Sequence, residues 1–397
     1  MIPFDEGKLI KFITFMNGWV LLISLTEIQK GEILMKTRFT IVLVSLFLVV
    51  MVSNVWSATP QWSWRMQVIH STAQSNFAQM QQTAKDIEKA TNGRLKIEVS
   101  PNGTFASSLE AFQACGDGVF EMHESWPVYA KGVEYAFMPL SNMSLGIDGF
   151  DKYVWIYEFG GWDLMQKAFD KVNLKMLSVQ MWEADIMMSN KPYKSIPEMK
   201  GRKMRTSDPR LLAKNGIAGI TLPLEEVFTG LQTGSVDTAE FGDLRYNQGL
   251  GLTDIAKYGI YPDFWNCHFA STVVVNKKAW AKLPPDVQAI VEMAFKSREH
   301  QHWTKNHFLS AVALRDLQDK KKMQFVRMNK ESFIELRKQM YQIEQEDIKK
   351  YGALTAETYK SLYKFMELWY PYKDISGWWG DGLTVEQQLG FKPGTYR

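Results

Sequence analysis

The stretch Gly201-Arg202-Lys203-Met204-Arg205, followed further on by Gln232-Thr233-Gly234-Ser235-Val236-Asp237-Thr238-Ala239-Glu240, decides how this chain is read. The first segment reads as a short strand that opens in a basic run and ends in an arginine. The second reads as a turn feeding a strand that ends in a carboxylate. Loops at strand ends gather into ligand sites in α/β sheets, so Arg205 and Glu240 both fall where a small molecule would bind. A guanidinium is a rigid fork of donors that grips a carboxylate in two parallel hydrogen bonds, which makes Arg205 a candidate anchor for an organic acid. Glu240 cannot touch that same acid unless a cation or a proton lies between them. The pair predicts an anion site with an opposing acidic wall.

On either side of this pair the chain alternates strand and helix signals. Trp62 to Ile69 is strand-like in its aromatic and β-branched content. Phe77, Met80, Ala84 and Ile87 share a helix face, and Leu95 to Val99 is a second strand closed by Pro101-Asn102-Gly103. A helix from Ser107 to Cys115 stops at Gly116-Asp117-Gly118, and Val119 to Glu124 follows as a third strand. That order implies a parallel sheet with crossover helices. The apolar run from Leu174 to Met188 exceeds the usual strand length of about 5–6 residues and is expected to cross between two sheets. A second unit passes through Leu211-Leu212 and Val227 to Leu231 and returns at Val236 to Phe241. Phe269 to Asn276 is a further strand, and Pro284-Pro285-Asp286 opens a long helix. Such a chain predicts an α/β, two-lobed fold around a ligand cleft, with a long connecting helix and C-terminal helices. The expected boundaries are residues 60–180 plus 241–267 for the first lobe and 181–240 plus 268–320 for the second. Residues 321–397 are expected to form a C-terminal helical segment.

Composition narrows the function. The 397 residues hold 46 Lys+Arg against 43 Asp+Glu, a net charge of +3 with no dense basic block, which argues against nucleic acid as a partner. Fourteen tryptophans suit large cores or pocket walls. Met35-Lys36-Thr37-Arg38, the apolar run from Ile41 to Val52 and the small residues up to Ala58 describe a signal peptide over residues 35–57, cut after Ser57. Residues 1–34 then read as an upstream extension, with Met35 the better start. The run is shorter than the roughly 20 residues that span a bilayer, so a soluble, exported, periplasmic product is expected. The two cysteines, Cys115 and Cys267, make no disulfide framework, and neither lies where a lipid anchor would attach.

In this order, the signal peptide, Trp64-Arg65-Met66-Gln67, Gly201 to Arg205 and Leu231-Gln232-Thr233-Gly234-Ser235-Val236-Asp237 resemble the substrate-binding proteins of tripartite ATP-independent periplasmic (TRAP) transporters. Through Val236 to Phe241 and the region Glu121 to Gly161 the chain looks most like their 2-oxo-acid-binding subgroup. The resemblance runs over nearly all of the chain after the signal peptide. It implies that Arg205 holds the ligand carboxylate, that Glu240 binds a cation bridging to the ligand, and that Phe241 stands where the subgroup has a tryptophan whose carbonyl reaches that cation. Hard oxygen ligands of this kind suit Na⁺ or Ca²⁺. One position departs: the subgroup's cation-binding glutamine falls on Ala184, which cannot ligate, between Glu183 and Asp185. Either a neighbouring carboxylate takes that role, with Glu183 the candidate, or the cation is absent. Side chains alternate along a strand, so Glu183 and Asp185 share one face. Entry of either into the pocket beside Glu240 would make the site more acidic and favour a divalent cation or an amine-bearing ligand.

Around the pair, Trp182, Phe241 and Trp265 are candidate pocket walls, although aromatics in a tryptophan-rich chain are as readily core. Tyr129, after Trp126-Pro127, is a candidate polar tip, as is Gln67 leaving the first strand. Neither a metalloprotease HExxH, a nucleophile elbow, a dinucleotide turn nor a P-loop is present, so nothing points to an enzyme and no catalytic cofactor is expected. The expected function is capture of a small organic acid, a 2-oxo or 2-hydroxy monocarboxylate favoured, and its delivery to membrane permease subunits, by a monomer or homodimer. The alternatives are a secreted enzyme acting on organic acids and a ligand-presenting module for a membrane sensor.

Overall fold

The computed structural model describes residues 60–141, 147–261 and 269–376. The expected signal peptide, the extension before it, Trp265 and Cys267 lie outside these residues. Strand β1 (Trp62–Val68) pairs in parallel with β2 (Leu95–Ser100) on one side and β3 (Met122–Ser125) on the other. Helix α1 (Ser75–Ala90) buries Phe77, Met80 and Ile87, the face read from their spacing, and α2 (Ala111–Asp117) precedes β3. Gly118 ends α2 in a left-handed conformation (φ 84°), which glycine adopts without a Cβ penalty. Helices α3 (Gly149–Glu158) and α4 (Gly161–Asp170) lead to β4 (Leu174–Met181), which lies in the same sheet. The order of this sheet is β2-β1-β3-β10-β4. The strand β10 (Ala270–Asn276) is inserted antiparallel between β3 and β4, and each of its residues is buried.

The second sheet takes β5 (Met187–Ser189), β6 (Lys203–Arg205), β7 (Ala218–Ile220), β8 (Thr238–Ala239), β9 (Tyr258–Tyr261) and β11 (Gln324–Arg327), in the order β11-β9-β5-β8-β6-β7. Its helices are α5 (Arg210–Lys214), α6 (Leu224–Thr233) and α7 (Leu244–Gly249). The run from Leu174 to Met188 does cross between sheets, as expected, but as two strands separated by residues 182–186 rather than one long strand.

The expected lobe boundaries need correction at two points. The sequence places residues 241–267 in the first lobe, yet β9 pairs with β5 and β11 in the second sheet. It places residues 268–320 in the second, yet β10 completes the first sheet. The chain therefore exchanges sheets between β9 and β10, where the first sheet has a fully buried slot for a β-branched strand. The tail is also not wholly helical after residue 320, since β11 adds a strand to the second sheet before α9 (Lys330–Lys350) and α10 (Ala353–Ser376).

The long helix predicted from Pro285 is α8 (Pro285–Asp319), 35 residues and so roughly 50 Å in length. Its first turns bury Val287, Val291 and Phe295 in the core beneath the first sheet, while Ala313 and Leu317 enter the core of the second. One rod thus contributes to both apolar cores. Among the described residues no helix is long and apolar enough to cross a membrane.

Candidate functional site

Strands β6 and β8 are parallel neighbours in which Arg205 lies opposite Ala239, and the Glu240 N–H donates to the Arg205 carbonyl at 3.2 Å. Register alone therefore brings the arginine and the acid together. Gly234, left-handed at φ 74° at the end of α6, turns the chain into β8 and so sets that register. Arg205 is 3% exposed, and its Nη1 donates to the Glu240 carbonyl at 2.7 Å. Nε and Nη2 point at the Leu222 carbonyl at 3.4 Å, and Cζ lies 4.6 Å from the Phe241 ring centroid. The Glu240 carboxylate stands 3.9 Å from Nη1. Backbone carbonyls and an aromatic face thus hold the fork in place, the pre-organisation that tight capture of a carboxylate requires.

Arg205, Glu240, Phe241 and Ser207 face Trp126, Val128, Tyr129 and Phe269 across a cavity of about 20 Å³, enough for little more than a water-sized group. Arg205 ends β6, and Ser207, Glu240 and Phe241 follow β6 or β8 at the same edge of the second sheet; the others leave β3 or enter β10. Burial pushes the Tyr129 phenol up to about 12, with Arg205 working against it, so at neutral pH it offers an uncharged hydroxyl. Trp126 is the centre of the wall, edge-on to Tyr129, Trp182, Phe241, Tyr246 and Phe269 at 5.4–5.9 Å between centroids.

Polar contacts close the edges of the cleft. Glu225, in the first turn of α6, accepts from Asn102 Nδ2 at 2.6 Å and from Ser108 Oγ at 3.2 Å. Arg245 of α7 donates to Ser75 Oγ at 2.8 Å, and Lys131 Nζ donates to the Ser207 carbonyl. Each joins a segment of one sheet's lobe to the other's.

Not every expected residue reaches the cavity. Trp182 is fully buried behind it, stacked on Phe269 with its Nε1 donating to Ser271 Oγ at 2.9 Å, so it supports the wall without lining it. Gln67 is also buried, but its amide binds a loop: Nε2 donates to the Ala106 carbonyl, and Oε1 accepts from Phe105 N at 2.6 Å. Glu183 sits on the crossover between sheets, its carboxylate 3.6 Å from His307 of α8, and burial together with Asp243 pushes it up to about 7. Asp185 is buried on the same crossover. Neither acid lines the cavity with Glu240, so the more acidic pocket expected from them is not the arrangement seen. Residues 182–186 form no strand, and the alternation that would have aimed both acids one way does not apply.

Glu240 brings one carboxylate to the cavity lining, a hard oxygen donor of the type that Na⁺ or Ca²⁺ takes. Among the described residues no group of three His, Cys, Asp or Glu side chains could hold a metal ion by itself.

Residues 67–350 match the family described as bacterial extracellular solute-binding protein, family 7. The chain belongs to this family. Among curated solute-binding relatives, the monocarboxylate 2-oxoacid-binding periplasmic protein of Nostoc sp. is 27% identical over 247 residues, 61% of this chain and 67% of that protein. The C4-dicarboxylate-binding periplasmic protein of Rhodobacter capsulatus is 27% identical over 224 residues, 52% of this chain and 62% of that one. The match thus spans about two thirds of these relatives' length. Among solved structures, a TRAP periplasmic solute-binding protein from Colwellia psychrerythraea with bound calcium and pyruvate superposes with a TM-score of 0.74, at 24% identity, over 79% of this chain and 97% of that one. One from Pseudoalteromonas atlantica with bound sodium and pyruvate gives 0.73 at 22% identity, over 79% and 97%. These likenesses establish the two-lobed solute-binding fold.

Four cavity residues, Trp126, Val128, Ser207 and Phe269, were not singled out from the sequence. The signal available for Trp126 was its position, a Trp-Pro step at the exit of a strand and three residues before Tyr129.

Proposed function

We propose that this extracytoplasmic solute-binding protein captures a small monocarboxylate at Arg205, with the walls of the cavity parted beyond their present gap of about 20 Å³, and delivers it to the membrane permease subunits of a TRAP transporter. The observation that carries this reading is the buried guanidinium of Arg205 fixed by main-chain carbonyls at a cavity walled by Trp126, Phe241 and Phe269. Among the described residues the cavity lining holds one guanidinium, so a second carboxylate would meet Glu240 or an aromatic face, which favours monocarboxylates over dicarboxylates. Tyr129 supplies a neutral polar group suited to a 2-oxo or 2-hydroxy oxygen. The Nostoc relative's name and the pyruvate in the two solved neighbours support the same class.

Glu240, with the main-chain carbonyl of Phe241, would hold a Na⁺ or Ca²⁺ ion, which would offset the repulsion between Glu240 and the incoming carboxylate. Capture is binding with lobe closure: acid entering the open cleft is gripped by Arg205 from one lobe and enclosed by Trp126 and Tyr129 from the other. No step here breaks a covalent bond, and stoichiometric binding without turnover is the expected behaviour. A thermal-shift screen of 2-oxo and 2-hydroxy acids, with and without Na⁺ and Ca²⁺, tests the reading. A cation-dependent rise in melting temperature with small monocarboxylates is expected, and no response to any of them would overturn it.

A further inference from the structure

The second sheet has a direction that its ligand site does not exhaust. Strands β6, β7, β8, β9 and β11 run one way and β5 runs against them. Arg205 and Ala239 mark the carboxyl ends of β6 and β8, where the cavity lies. The amino ends of the parallel strands and the exit of β5 therefore share the opposite edge. That edge is rich in lysine. Lys191 follows β5, Lys200 precedes β6 and Lys203 opens it, Lys214 ends the helix before β7, and Lys257 directly precedes β9. All are exposed, and none joins an ion pair among the described residues. At the same edge Lys320-Lys321-Lys322 precedes β11, with Asp316 answering the first and Asp254 the second. The other acids here offset part of the lysines' charge: Asp237 accepts the Lys203 N–H at 2.9 Å, Asp319 precedes Lys320, and Glu335 is linked through Gln339 to Asn215, next to Lys214. The whole chain carries only +3, so this excess is local.

We propose that this lysine edge is a docking surface for an anionic lipid bilayer. A dedicated protein–protein interface centres on apolar and aromatic anchors and is poor in lysine. The large exposed apolar side chains of the described residues, such as Met293, Phe308 and Leu368, all fall elsewhere. Mobile ammonium groups on a surface without apolar anchors fit a plane of phosphate headgroups, which attracts them through its summed field without fixed partners. Docking there holds the protein at the membrane surface and shortens the search for a membrane partner. It requires the extracytoplasmic placement of the family but not the ligand assignment.

The test uses the exported protein recovered from the periplasm, co-sedimented with phosphatidylcholine vesicles that contain or lack phosphatidylglycerol, at low and high salt. Binding is expected only to the phosphatidylglycerol vesicles and is expected to fade at high salt, as screening shortens the reach of the field. The triple variant Lys191→Glu/Lys200→Glu/Lys214→Glu should lose at least about tenfold in binding. The control Lys85→Glu/Lys89→Glu/Lys96→Glu, on the first sheet's side, should not, and ligand affinity should be unchanged in both. No binding to phosphatidylglycerol, equal binding to both lipids, or equal loss in the two triple variants would overturn the proposal. So would capture only by permease subunits reconstituted in neutral phosphatidylcholine, which would give the edge to a protein partner. A failure of the acid screen leaves these outcomes untouched, so the two readings fail separately.

Discussion

Arg205 and Gln67 are both buried polar residues at strand ends, and they should respond to truncation in opposite ways. Arg205→Ala is expected to weaken acid binding by at least ~2 kcal/mol in calorimetry, since it leaves a buried carboxylate without its donor. Unchanged affinity would remove Arg205 from the site. Gln67→Ala should instead leave affinity alone and lower unfolding stability by about 1–3 kcal/mol in urea, because its amide ties the backbone at residues 105 and 106. The same contrast explains what could be read at this scale. That Arg205, Glu240 and Phe241 come together was legible because short strands of known direction place their last residues at one edge. Trp126 and Phe269 were not, because one tryptophan among 14 carries no mark of which face it serves. Gln67 was misplaced because nothing local tells an amide aimed at a ligand from one that closes its own lobe's loop.

The strand–helix–strand order of the first lobe, the crossing after β4 and the long helix from Pro285 were written in periodicity and punctuation, which are local properties. The assignments of β9 and β10 were not, because which sheet a short strand joins is settled by distant partners. Two elements make specific demands. In α2, a Cβ on Gly116 would lie 2.0 Å from the Val172 carbonyl oxygen, and the Gly116 carbonyl already accepts from Asn173 and Asn276. Gly116→Ala should therefore cost about 1–3 kcal/mol of stability, read as a lower denaturant midpoint. At the start of α6, Glu225 spans the cleft to Asn102 and Ser108. Glu225→Ala should leave the melting temperature of the free protein nearly unchanged but speed ligand release several-fold, about 1 kcal/mol, in stopped-flow measurements. A release rate equal to the parent's would show that closure does not depend on this contact.

For the molecule as a whole, stability should depend on pH through a few buried groups of opposite sign. Burial pushes Glu183 and Glu299 up to about 7 from an ordinary 4.5, although Tyr157 donates to both Glu299 oxygens at 2.7 Å. The folded state therefore keeps protons that the unfolded chain releases, and their contribution to stability falls as pH rises from 4.5 through 7. Burial holds His123 down at about 4, so its contribution falls as pH drops below 6.5. Glu299→Gln keeps a polar group under Tyr157 but removes one of the titrating acids. Its melting temperature should decline less than the parent's between pH 5 and pH 8, and parallel curves would refute the assignment. The place of β10 has a further consequence. A strand that fills the gap between β3 and β4 reaches them only after the second sheet's β5 to β9 have been made. The N-terminal portion thus has no complete sheet of its own while the chain is emerging, and contacts this distant in sequence form slowly. For an exported protein, this topology sets an order: the first sheet cannot close until the chain is available as far as Asn276.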